Sequence, residues 1–162
     1  MEAVPAAGAH VEVPQASPDP KLRVTVVNTT HDGTVAALKA AADLARHLGA
    51  DIVLLAPHVV PIQISLDRPH VAIEILKRRY IDLVAEAEII DEQIAIRILL
   101  CRDRVEALKQ TLAPHSLIVI GGSSQWWRIR ERRLARRLQK MGHHVVFVDS
   151  AVKDRAEPQS DG

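Results

Sequence analysis

Apolar positions in this chain fall into two rhythms, short unbroken runs and longer stretches spaced three and four apart, and their alternation predicts an α/β domain. The runs at residues 24–27, 52–56, 116–120 and 144–148 are continuous, as expected of strands buried on both faces of a parallel sheet. The run at 94–100 is interrupted by Arg97, and its alternation suits a strand at the sheet margin. Helical stripes lie between the runs. Val35, Leu38, Ala42, Ala45 and Leu48 make the first, capped by Thr30 or Asp32 and closed by Gly49. Ile73, Leu76, Tyr80, Leu83, Val84 and Ala87 make the second, with Asp67 as its N-cap. Val105, Leu108 and Leu112 make the third, started by Asp103 with Glu106 and stopped by Pro114. Leu134, Leu138 and Met141 make the fourth, closed by Gly142. Pro57, Pro61 and Pro69 predict an irregular connection over residues 57–69. The domain is expected over residues 21–150, after a disordered, proline-interrupted leader at 1–20 and before a flexible polar tail at 151–162.

Composition narrows this picture. A chain of 162 residues with 48% hydrophobic and 25% charged residues is long enough for one domain with a substantial core. Aromatic residues make up only 2%, so the core must be Leu, Ile, Val and Ala. Cys101 is the single cysteine, which excludes an internal disulfide and fits a reducing compartment. No apolar run approaches ~20 residues and no secretory signal opens the chain, so a soluble, cytoplasmic protein without membrane association is expected. A net charge of +1 gives no bulk attraction to polyanions, yet seven of the 21 Lys and Arg crowd residues 128–140. Any electrostatic function must be local.

Catalytic chemistry finds little support. His143 and His144 would point to opposite faces of a strand, and no Cys or His pair has zinc-site spacing, so no metal is expected. Cys101 falls at the carboxyl end of a strand with Arg102 able to lower its pKa, but it reads better as a small core residue. Ser123 lacks the strained nucleophile elbow and has no assignable base. No enzymatic constellation emerges. What remains is the loop Gly121, Gly122, Ser123, Ser124, at the sheet edge where open α/β sheets bind ligands.

Two stretches carry a family resemblance. Residues 116–149 run strand, glycine, helix, strand, and residues 24–60 contain Ala37-Leu38, Gly49-Ala50 and His58-Val59-Val60 in the same relative places as the universal stress protein family. The resemblance covers about residues 22–149. It implies a three-layer α/β/α fold, Rossmann-like and of the adenine nucleotide alpha hydrolase type, with a five-stranded parallel sheet of order 3-2-1-4-5. It also implies a ligand edge at Asn28, Thr29, Val59, Gly121, Gly122, Ser123 and Ser124. The family's loop pattern, G-x2-G-x9-G-[ST], is broken here: Ser124 stands at the second glycine and Glu131-Arg132 where Gly-Ser should open the helix. Asn28-Thr29-Thr30 replaces the family's Asp-Gly-Ser and has no carboxylate. The expectation is therefore a non-catalytic stress-response or regulatory domain that binds ATP weakly or not at all and needs no cofactor. The alternative is ATP, another adenine nucleotide or phosphate on the residual loop. The family commonly pairs through its last strand, which implies a homodimer through Val145, Val146, Phe147 and Val148.

The basic segment stands apart from that pattern. Arg128, Arg130, Arg132 and Arg133 crowd a helix start, where the macrodipole favours anions. Arg128, Arg130 and Arg132 are thus candidates for an anion site. Trp126 and Trp127 beside them have the residue types of a nucleic-acid surface, although a solvated arginine face is the commoner outcome of such a sequence.

Overall fold

Val24, Val26 and Val27 are wholly buried because their strand forms the centre of the sheet, with a neighbour on each side and a helical layer on each face. In the computed structural model the described residues are 10–12, 22–66, 73–89, 94–122 and 125–150, with backbone alone at 10–12 and 125–128. In chain order the elements are β1 (His10–Glu12), β2 (Arg23–Val27), α1 (His31–Leu48), β3 (Asp51–Val59), α2 (Ile73–Glu86), β4 (Ile94–Cys101), α3 (Arg104–Thr111), β5 (Leu117–Gly122), α4 (Gln125–Lys140) and β6 (His144–Asp149).

The sheet order is β1-β4-β3-β2-β5-β6. Five of these strands run parallel, and counted among themselves they have the expected order 3-2-1-4-5. Val24 pairs with Ile52 on one side and Leu117 on the other. Residues then alternate between layers with the period of two that a pleat dictates. Val24, Val26, Ile52, Leu54, Ile96 and Ile98 meet Leu38, Ala41 and Ala45 of α1 and Leu76 and Leu83 of α2. Val27, Val53, Leu55, Ile118 and Ile120 meet Leu108 of α3 and Leu134 and Leu138 of α4.

The ends of α1 follow from its sequence. Thr30 Oγ1 accepts from Gly33 N at 3.1 Å, and Gly49 closes the helix at φ 62°, a left-handed conformation that costs glycine little. Asp103 caps α3 in the same way, accepting from Glu106 N at 2.9 Å.

Four expectations are corrected. β4 is not the margin: β1, inside the segment expected to be an irregular leader, pairs antiparallel with it, His10 opposite Leu99 and Glu12 opposite Arg97. β3 runs on through Pro57 to Val59 rather than ending at Ala56. Asn28 N donates to Leu55 O at 2.8 Å, so Pro57, two residues on, turns its donorless nitrogen past the end of β2, where a proline breaks no ladder. Leu48 is 47% exposed and Met141 is 36% exposed, because each lies at the last turn where the helix leaves the sheet. The inward stripe of α4 is instead Glu131, Leu134, Ala135 and Leu138. The Asp67 cap falls outside the described residues.

Candidate functional site

β2 is followed by α1 on one face of the sheet and β5 by α4 on the other, so the carboxyl ends of these two neighbouring strands form the topological switch point. In this chain a hydrogen bond joins the ends of the two strands. Thr29 Oγ1 donates to Gly121 O at 2.6 Å, directly across the switch point. Thr34, wholly buried in the first turn of α1, holds the other end: its Oγ1 accepts from Thr29 N at 3.0 Å and lies 2.7 Å from Thr30 O and 3.1 Å from Asn28 Oδ1. The start of α1 also presses its backbone onto β5. A Cβ on Gly121 would lie 1.9 Å from Gly33 O, and one on Gly33 would lie 2.5 Å from Gly121 O. Glycine is required at both places so that two backbones can touch.

The connection from β5 to α4 is short. β5 ends at Gly122 and α4 begins at Gln125, leaving two residues between them. Gly122 O accepts from Ser150 Oγ at 2.7 Å. Glu131 and Arg132 therefore sit in the second turn of α4, not at its start as the loop comparison suggested. This corrects the expected crowding as well: Arg128 belongs to the first turn, while Arg130, Arg132 and Arg133 lie beyond it, where the dipole has largely fallen off.

On the α3 and α4 side of the same edge, Arg104 Nη2 donates to Asn28 O at 2.9 Å. Burial pushes the Arg104 guanidinium pKa below its ordinary value, opposed by the charge of Glu131. Glu131 is 3% exposed, and its Oε2 has no hydrogen-bond partner. Burial pushes its carboxyl above the usual range, opposed by a bond to its own backbone N–H and by Arg104 and Arg130. Cys101 is buried with its Sγ 3.7 Å from His58 O. Burial and then Asp103 raise its pKa. The neighbouring arginine does not activate it: Arg102 turns to Val60 O at 3.0 Å, to Pro61 O and to Ile64 O at 2.6 Å, pinning the segment after β3. His143 is likewise occupied, its Nδ1 accepting from Ser116 N at 3.2 Å.

Of the residues singled out from sequence, Asn28, Thr29, Gly121 and Gly122 are brought together at the switch point, joined by hydrogen bonds to one another or to their flanks. Val59 stands at the end of β3, 52% exposed. Ser123 and Ser124 lie outside the described residues, as does the side chain of Arg128. Arg130 and Arg132 are exposed on α4, and Arg132 leans over the Phe147 ring of β6 at 5.7 Å rather than toward the glycines. Val145, Phe147 and Val148 are half-buried on β6, and Val146 is exposed. Gly33, Thr34 and Arg104 were not anticipated. Thr30-x-x-Gly33-Thr34 is a readable cap, but its contact with Gly121 joins residues 88 apart in the chain and leaves no local signal.

The fold has solved counterparts. A universal stress protein in complex with cAMP superposes with a TM-score of 0.50 at 14% identity, covering 80% of this chain and 98% of that one. The universal stress protein from Archaeoglobus fulgidus superposes with a TM-score of 0.50 at 13% identity, covering 79% and 98%. No protein-family model matches the sequence. No curated protein matches it either.

Proposed function

We propose that this chain is a non-catalytic regulatory or stress-response domain that binds adenine nucleotides weakly or not at all. One observation carries the reading. The switch point, where a nucleotide would enter, is occupied by the Thr29 to Gly121 hydrogen bond and by the Gly33 to Gly121 backbone contact. A phosphate loop works by aiming several backbone N–H groups at oxygens, and a two-residue connection between strand and helix offers few of them. The buried Cys101 thiol, its pKa raised by burial and by Asp103, supports a passive role for that residue. Stress biology and a cytoplasmic site rest on the fold likeness; no described helix is long and apolar enough to cross a membrane.

The second reading is a nucleotide-binding regulator, favoured by the neighbour whose structure holds cAMP. Calorimetry with ATP, AMP and cAMP, with and without magnesium, separates the two. The expected result is no measurable heat, or dissociation constants near 1 mM, equivalent to only about 4 kcal/mol. Micromolar binding of any of the three would establish the second reading.

Self-association is proposed through β6. Its one partner in the sheet is β5, its other edge is unpaired among the described residues, and Val146 is 37% exposed along it. Sedimentation at tens of micromolar is expected to give a dimer that Val146→Lys disrupts. A monomer at that concentration would refute the pairing.

A further inference from the structure

We propose that the solvent face of α4 docks along the phosphate backbone of a double-stranded nucleic acid, without reading its sequence. Between residues 130 and 140 the exposed positions of this helix are Arg130, Arg132, Arg133, Arg136, Arg137, Gln139 and Lys140, six cations and one amide. The one acidic residue of α4, Glu131, lies on the buried side with Leu134, Ala135 and Leu138. At about 100° per residue, the six cations fan across roughly 160° opposite that buried stripe. Arg132, Arg133, Arg136, Arg137 and Lys140 have no acidic residue three or four positions away along the helix, and the charge of the rest of the chain is net negative. The molecule is therefore polarised, with α4 as its cationic side.

Three features choose the partner. The first is arginine: five of the six cations carry the planar fork that takes phosphate oxygens two at a time. The second is length. Arg130, Arg133, Arg137 and Lys140 follow one another by about a turn and span ~15 Å, which corresponds to roughly four phosphates of one strand along a duplex axis. The third is what the face lacks. An anionic membrane surface would also attract cations, but lasting insertion needs an exposed apolar face, and that of α4 is spent on the sheet. An acidic protein partner would need an apolar centre to its interface, and between Ile129 and Met141 the outer face offers none. Among the described side chains, the one aromatic ring near this face, Phe147, is half-buried beneath Arg132 and offers no stacking platform for an unpaired strand.

The test is fluorescence anisotropy of the full chain with labelled duplexes of about 20 base pairs and two unrelated sequences, from about 50 to 300 mM salt. Both duplexes are expected to bind alike, with dissociation constants in the micromolar range at the lowest salt and a slope of log K against log salt of about −3 to −4. Replacing Arg133, Arg137 and Lys140 together by Ala is expected to weaken binding at least about tenfold and flatten the slope by about 2 to 3. The companion variant Arg133→Lys/Arg137→Lys, which keeps the charge, should retain the slope, and circular dichroism on each variant checks the fold. No duplex binding at the lowest salt, an unchanged slope in the triple variant, or a preference for single strands, phosphatidylserine vesicles or an acidic peptide over the duplex would each overturn the proposal.

Discussion

Gly121→Ala is expected to destabilise this domain by about 3 kcal/mol or more, at or above the upper end of ordinary overpacking. The added Cβ would lie 1.9 Å from Gly33 O and 2.6 Å from its carbonyl carbon, so the obstacle is backbone and no rotamer relieves it. Relief requires α1 to lift from β5. That movement breaks the Thr29 to Gly121 hydrogen bond and disturbs the Thr34 network behind it. The reciprocal change tests the contact through its sign. Gly33 lies within α1, where Gly→Ala normally stabilises by about 1 kcal/mol. Here the new Cβ would meet Gly121 O at 2.5 Å and Thr30 Oγ1 at 2.8 Å, so destabilisation is expected instead. Urea unfolding followed by circular dichroism measures both. If Gly33→Ala proves more stable than the parent, the two backbones do not touch as described. One consequence concerns ligand assays: loss of nucleotide binding in a Gly121 variant would report a damaged fold and could not identify a phosphate loop.

Periodicity made most of this architecture legible, because strands buried on both faces and amphipathic helices leave different marks on a sequence. The caps at Thr30 and Asp103 and the stop at Gly49 were visible for the same reason: each is a local hydrogen bond or dihedral demand. β1 was hidden, since three residues flanked by prolines give no alternation long enough to read. The extension of β3 through Pro57 was hidden by the usual meaning of proline, which fails where the neighbouring strand has already ended. At the candidate site the glycine was recognised but its neighbour was not. Gly121 looked like part of a loop for phosphate, whereas its tightest contact is with Gly33, a relation that only the packing of α1 across β5 creates. Glu131 was misplaced for a related reason. Counting back from the last strand put it at a helix start, but α4 begins at Gln125 and carries it to the second turn, facing inward.

That inward carboxyl gives the second large effect. Glu131→Leu is expected to raise stability at pH 8 by about 1–3 kcal/mol, the cost of holding a buried polar group whose hydrogen bonding is unsatisfied. Glu131 is 3% exposed on the stripe shared with Leu134 and Leu138, and Oε2 has no hydrogen-bond partner. Burial raises its pKa above the ordinary value of 4.5, against the opposing pull of its own backbone N–H, Arg104 and Arg130. A raised carboxyl binds its proton more tightly in the folded state than in the unfolded chain. The stability it confers is therefore complete below about pH 4.5 and is lost as pH rises through the folded value. Accordingly the advantage of Glu131→Leu should shrink as pH falls toward the ordinary carboxylate range, and Glu131→Gln, which keeps the volume and cannot ionise, should flatten the slope of stability above pH 4.5. Arg104 sets the limit of the argument. Its guanidinium is itself disfavoured by burial and is helped by the Glu131 charge, while its bond to Asn28 O survives the substitution. If Glu131→Leu instead loses stability at pH 8, the carboxylate is there to hold Arg104 charged against Asn28, and the pair must be treated as one unit.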